Sequence, residues 1–282
     1  MLRVPGPDSI HPRLLHELKD IVASPLANIF NVSLSSAAIP SQWRQANVSP
    51  TFKKGDKKLP ENYRPGSLTS IPCKLLERIL KDKIMEHLQT NRLLSPHQHG
   101  FRPARSCASQ LLEVLDFLTM ALDEGKSVDI IYLDFKKAFD SVPHARLLHK
   151  VEAYGITGNI LGWIKAFLSD RSQQVLIEGV SSKCCKVKSG VPQGLVLGPL
   201  LFLLYINDLP DCVKTAVKMF ADDLKLYGTS DTSESRKLLQ DDLCNLEDLS
   251  TKWQLPFNVA KCKVLHFGPK NPHHTSRCLG ET

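Results

Sequence analysis

The chain has 282 residues, 42% of them hydrophobic, enough to bury the core of one large or two modest domains, which excludes a disordered or fibrous protein. Its 36 Lys and Arg against 29 Asp and Glu leave a net charge of +7, a lean towards a polyanionic partner that carries little alone. Eight cysteines with no C-x-x-C pair read as reduced, intracellular thiols rather than the framework of a secreted domain.

The N-terminus, MLRVPGPDSI, lacks the apolar run of a signal peptide, and residues 1 to 45 read as an N-terminal extension. It contains a short amphipathic segment, His11 to Leu18, and an apolar stretch, Leu26 to Leu34, cut up by prolines at 5, 7, 12, 25 and 40. The basic loop from Phe52 to Lys58 is either a solvated turn or a phosphate contact. Apolar residues at 75, 76, 79, 80, 84 and 88, and again at 111, 112, 115, 118 and 122, predict two amphipathic helices, the second stopped by Gly125. Val128 to Phe135 is a β-branched and aromatic run between polar flanks, which predicts a buried strand with Asp134 at its far end.

Helices over Leu147 to Tyr154 and Ile160 to Leu168 precede a hairpin that starts at Gln174 and returns through Cys185. Leu195 to Ile206 is the longest apolar stretch; it is shorter than the ~20 residues of a membrane span and reads as a buried helix. Val217 to Tyr227 predicts two short strands joined by a tight turn at Asp222 and Asp223. A long helix around Leu238 to Trp253 and a strand, Val264 to Phe267, complete an α+β pattern with a mainly antiparallel sheet. Near the C-terminus, Cys262, His266, His273, His274 and Cys278 fit no standard zinc spacing.

Three carboxylates stand out by position: Asp134 at a strand end, and Asp222 with Asp223 at a hairpin tip. Magnesium takes oxygen ligands, and two ions about 3.5 to 4 Å apart clamp the attacking and leaving oxygens of a phosphoryl transfer. On the residues alone two readings stay open, because Asp-Asp is also an ordinary turn dipeptide and a strand-end Asp an ordinary cap.

Six motifs follow in order: Asn62 to Pro65 with Ser67 to Ser70, His99 to Arg102 with Arg105 and Ser106, Tyr132 to Asp140, Ser189 to Gly194, Tyr205 to Leu209, and Phe220 to Asp223. In these the chain resembles the reverse transcriptases of non-LTR, LINE-type retrotransposons of the jockey kind, over roughly residues 1 to 270. Phe-Ala-Asp-Asp with Tyr-Ile-Asn-Asp-Leu points to that branch rather than to group II intron maturases or telomerase-like polymerases.

The resemblance implies a right-hand polymerase, with a reverse transcriptase domain over 46–282, fingers over 46–125 and a mainly antiparallel palm sheet packed on helices over 126–270. It implies an RNA-directed DNA polymerase that works on an RNA template, a DNA primer and dNTPs, away from any membrane, in the nucleus or cytoplasm. Two Mg²⁺ or Mn²⁺ ions would sit on Asp134 and Asp222, with Asp223 in support, and a primer 3′-hydroxyl would attack the α-phosphate of the dNTP in line.

Other residues take roles from the same likeness. Phe139 occupies the place of an aromatic ring that collides with a ribose 2′-hydroxyl, and Phe135 supplies backbone contacts. Gln193 and Gly194 form the turn that touches template and nucleotide. Arg64 and Arg102 hold template backbone or triphosphate, and Lys261 is placed to protonate pyrophosphate. The chain departs from the family pattern at Gly66 in place of Ile, Leu195 in place of Ser, and Leu224 in place of Thr or a small polar residue, which predicts reduced turnover. Neither the family's endonuclease nor its thumb is expected within these residues. The alternative is a truncated relic that binds RNA or an RNA–DNA hybrid without chemistry.

Overall fold

The computed structural model describes residues 6–191 and 194–274. The elements run α1 (Pro12–Glu17), α2 (Lys19–Ser36), β1 (Gln45–Phe52), β2 (Tyr63–Leu68), α3 (Ile71–Thr90), α4 (Cys107–Asp123), β3 (Val128–Leu133), α5 (Ala138–Ser141) and α6 (His144–Ala153). They continue with α7 (Gly158–Leu168), β4 (Ser172–Ile177), β5 (Val180–Ser181), β6 (Cys185–Lys186), α8 (Gly198–Ile206), β7 (Ala216–Phe220), β8 (Asp223–Thr229), α9 (Ser233–Trp253) and β9 (Lys263–Phe267). They form two compact units that alternate along the chain, residues 1–91 with 143–201 and residues 92–142 with 202–282. Among the described residues no helix is long and apolar enough to cross a membrane.

The first unit is built on a sheet of order β2-β1-β4-β5, with β6 also on β4. β1 pairs antiparallel with β2 and parallel with β4. Neither β1 nor β2 is legible as a strand, because each contains a proline; the register sets Pro50 opposite Pro65, so both missing N–H donors fall on one rung. Trp163, Ile164 and Phe167 of α7 are fully buried, and the indole Nε1 of Trp163 donates to Ser33 Oγ of α2 at 2.9 Å. Pro25 does not cut the N-terminal segment: it lies inside the 18-residue α2, while Pro12 opens α1 at the position where its missing N–H costs nothing.

Glu77 of α3, fully buried, accepts hydrogen bonds from the backbone N–H of Val196 at 2.7 Å and Leu197 at 3.0 Å, just before α8. Burial pushes its carboxyl above the usual range. The carboxylate thus satisfies donors that a helix N-terminus would otherwise leave orphaned.

The second unit holds an all-antiparallel sheet of order β7-β8-β3-β9. β3 is central and its side chains alternate: Val128, Ile130 and the half-buried Tyr132 meet Val114, Leu118 and Ala121 of α4, and Ile131 and Leu133 are buried as well. Each such aliphatic contributes about 1.5–3 kcal/mol on burial. α9 packs on β8, and its buried Asp242 accepts from the N–H groups of Lys214 and Thr215, which anchors the entry to β7. Both α4 and α9 begin with a reciprocal capping box, Ser106 with Ser109 and Thr232 with Ser235.

α4 turns inward a face that matches its periodicity only in part: Leu118 is buried and Leu122 half-buried as expected. Leu111, Leu112 and Leu115 are 42%, 65% and 53% exposed, whereas Gln110, Val114, Leu118 and Ala121 are buried. The apolar sector of the helix is wide, opposed by Ser109, Glu113, Asp116 and Asp123, so the pattern does not fix which part of it turns inward; packing on β3 and the bond from Lys225 Nζ to the Gln110 side chain select it.

Candidate active site

Asp134 follows the last residue of β3, and the β3–β8 register ends with Leu133 opposite Leu224, so Asp134 and Asp223 emerge side by side at one edge of the sheet. Both line an open cavity of about 530 Å³ together with Tyr132, Leu224, Lys261 and Lys263. Lys261 Nζ donates to Asp134 Oδ2 at 2.6 Å, and the N–H of Asn258 donates to the Asp134 carbonyl at 2.6 Å. The turn from Asn258 to Lys261 is therefore held to Asp134 through backbone and side chain alike.

The β7–β8 turn lies one residue earlier than the expected Asp222–Asp223. Phe220 pairs with Asp223, which makes Ala221 and Asp222 the loop and Asp223 the first residue of β8. Ala221 has φ +54°, the left-handed first position that tight hairpins demand. Asp223 is exposed and Asp222 half-buried. Burial pushes the Asp222 carboxyl above the usual range, and the negative charges of Asp223 and Asp134 push it the same way.

A residue that pattern reading missed holds this turn. Gln98, fully buried, donates to the Ala221 carbonyl at 3.3 Å and accepts from the N–H groups of Ala221 at 2.9 Å and Gly100 at 2.7 Å. Its segment lies along β7, with Met219 N–H donating to His97 O at 2.9 Å and His99 N–H to Met219 O at 2.8 Å. Gly100 allows the close approach, since a Cβ there would sit 2.3 Å from the Ala221 nitrogen. The only signal was adjacency to the His99–Arg102 motif, because a glutamine carries no hydrophobic period.

The remaining expected residues fall into two groups. In this second unit, the Phe135 ring is buried and stacked on Phe257 at 4.5 Å, which leaves its backbone as the part able to face a ligand. Phe139 is half-buried, stacked on Phe202 at 4.4 Å and 22°, with Phe101 edge-on at 6.3 Å and 89°. Arg102 donates to the carbonyls of Ser95 and Gln98 and so ties down its own loop. In the first unit, Arg64 is exposed on β2, and Gly194 has φ +102° with a would-be Cβ 2.6 Å from the Ser67 carbonyl of the same strand. Gln193 lies outside the described residues, as does Cys278.

Among the described residues, no three His, Cys, Asp or Glu side chains form a ready-made metal cage. Magnesium rarely needs one: it takes one or two carboxylates and fills its shell with water and phosphate oxygens. Two adjacent carboxylates open to a cavity, with a third close enough to perturb, fit that mode in their all-oxygen donor chemistry.

Comparison with known proteins adds the family. The family model described as "Reverse transcriptase (RNA-dependent DNA polymerase)" matches residues 52–281. The chain is 32% identical to a probable RNA-directed DNA polymerase from transposon BS of Drosophila melanogaster, over 91% of this chain and 29% of that protein. It is 29% identical to the RNA-directed DNA polymerase from mobile element jockey of Drosophila funebris, over 94% of this chain and 30% of that protein. The chain thus spans about 30% of the length of these relatives. In fold it is similar to telomerase from Candida tropicalis solved with a fragment of telomeric RNA, with a TM-score of 0.60 at 12% identity, over 89% of this chain and 45% of that one. Reverse transcriptase domains generally use divalent metal ions. An antiparallel sheet that presents paired aspartates, and a family match over most of its length, make this chain a member of the reverse transcriptase family, of the non-LTR, LINE type.

Proposed function

We propose that the chain is the polymerase part of a mobile-element reverse transcriptase, which extends a DNA primer on an RNA template with dNTPs and two Mg²⁺ or Mn²⁺ ions. The observation that carries this reading is the emergence of Asp134 beside Asp223 at one sheet edge, with Asp222 in the adjoining turn. Fingers over 46–125 and a palm over 126–270 follow from the motif order.

The ions, when bound, lower the charge on the attacking and leaving oxygens. Asp134, Asp222 and Asp223 are the residues to hold them. The primer 3′-hydroxyl gives up its proton to solvent as its oxygen forms a bond to the α-phosphorus of the dNTP and the bond to pyrophosphate breaks. Lys261, whose Nζ donates to Asp134 Oδ2 at 2.6 Å, is the residue we assign to give a proton to the departing pyrophosphate. The Phe139 ring shuts out a ribose 2′-hydroxyl, the backbone of Phe135 meets the nucleotide, Gln193 and Gly194 are the residues assigned to nucleotide and template, and Arg64 and Arg102 supply guanidinium to phosphate. The motifs that suggest a retroelement also suggest work in the nucleus or cytoplasm.

Primer extension by the purified chain on RNA, beside an Asp222→Asn/Asp223→Asn double variant, tests the reading. Extension that vanishes in the variant supports it; a folded chain that binds hybrid and never extends would replace it with a binding relic.

A further inference from the structure

Phe101 has a conformation and an exposure that packing does not explain. Its φ is +54°, a region bulky side chains rarely occupy, and 46% of its surface is exposed. The backbone is held there by its neighbours: His99 is bonded to Met219, Gly100 to Gln98, and Arg102 to the Ser95 carbonyl. This strained loop sets the Phe101 ring edge-on to Phe139 at 6.3 Å and 89°.

Phe139 lies between two partners of unequal kind. Phe202, fully buried in α8, stacks on it at 4.4 Å and cannot yield without disturbing the core. Phe101 is the exposed partner, carried on a loop. We infer that Phe101 is a positioning residue for nucleotide selection: its ring holds Phe139 against Phe202 and so sets how firmly the ribose 2′-position is excluded. This rests on the reading of Phe139 as the ring that meets the sugar. The same loop is bonded through Gln98 to the turn that carries Asp222, so sugar selection and the carboxylate site share one scaffold.

The test compares Phe101→Ala, Phe101→Leu and Phe101→Tyr with Phe139→Ala and the Phe101→Ala/Phe139→Ala double variant. The readout is the ratio of kcat/KM for dGTP to that for GTP on an RNA template. Competition of GTP against dGTP for the template–primer complex gives the same ratio as binding when turnover is slow. Loss of the Phe101 ring should lower the ratio on the order of tenfold, the scale of a changed contact in an apolar pocket. Phe101→Tyr should restore it, and the double variant should fall no further than Phe139→Ala, since one residue acts through the other. A ratio kept in both Phe101→Ala and Phe101→Leu overturns the proposal. If Phe139→Ala loses selectivity in that case, the fault lies with Phe101 alone; if Phe139→Ala keeps it too, the reading of Phe139 fails with it. An additive double variant also overturns it, since it would give Phe101 a separate effect.

Discussion

The two sheets of this protein are buried to different degrees. In the second unit, every residue of β3 but Tyr132 is buried, and five consecutive residues of β8 are buried from Leu224 on. In the first unit, β4 alternates between half-buried and exposed along its whole length, and β2 buries only Ser67. A sheet covered on both faces holds two carboxylates at a set spacing, while a half-covered sheet leaves polar strand faces such as that of Arg64 open to solvent and ligand. The contrast separates a sheet buried on both faces from one that is half-covered.

Four measurements break or sharpen that contrast. The largest effect belongs to the buried sheet: Asp134→Asn or Asp223→Asn should lower primer extension by about 10³-fold, since several kcal/mol of charge stabilisation at ~1.4 kcal/mol per decade would be lost. Loss of only a few fold would place the chemistry elsewhere. In the open sheet, Gly194→Ala should destabilise the chain by about 1–3 kcal/mol in urea titration, because the left-handed backbone and the Ser67 carbonyl at 2.6 Å both oppose a Cβ. An unchanged midpoint would mean that the turn can move off β2.

The third concerns pH. Because the Asp222 carboxyl is raised, protonated Asp222 favours the folded chain below the ordinary carboxylate range, and that contribution is lost as pH rises through the raised folded value. Metal-free Asp222→Asn should therefore melt higher than the parent at neutral pH and match it in acid, and Mn²⁺ affinity should begin to fall at a higher pH than for an ordinary aspartate. Equal melting temperatures at neutral pH would show that Asp222 is not under charge strain. The smallest effect is Gly66→Ile in β2, where a Cβ would meet only the Ser49 carbonyl at 3.4 Å; a gain of about 0.5–1 kcal/mol is expected from the lost glycine entropy. A loss instead would show that β2 needs the freedom of glycine.

Periodic segments were legible in the residues. The strand that ends before Asp134, the hairpin of β7 and β8, the capped helix α9 and the apolar α8 each announce themselves by local pattern, because burial on a sheet face or helix stripe writes a period into the chain. The presence of three aspartates at turn and strand ends was legible in the same way. Four features were not. The β1–β2 ladder hides behind Pro50 and Pro65, whose missing donors cancel only once the strands are paired. The inward face of α4 is ambiguous in a helix whose apolar sector is wider than the strip it buries. The hairpin register, which puts Ala221 and Asp222 in the loop and Asp223 beside Asp134, differs by one residue from the position an Asp-Asp dipeptide suggests. The hold of Gln98 on Ala221 joins residues 123 apart in the chain. Local pattern reports the environment of each residue, whereas register, facing and long-range hydrogen bonds are choices among partners, and those exist only when the chain has folded.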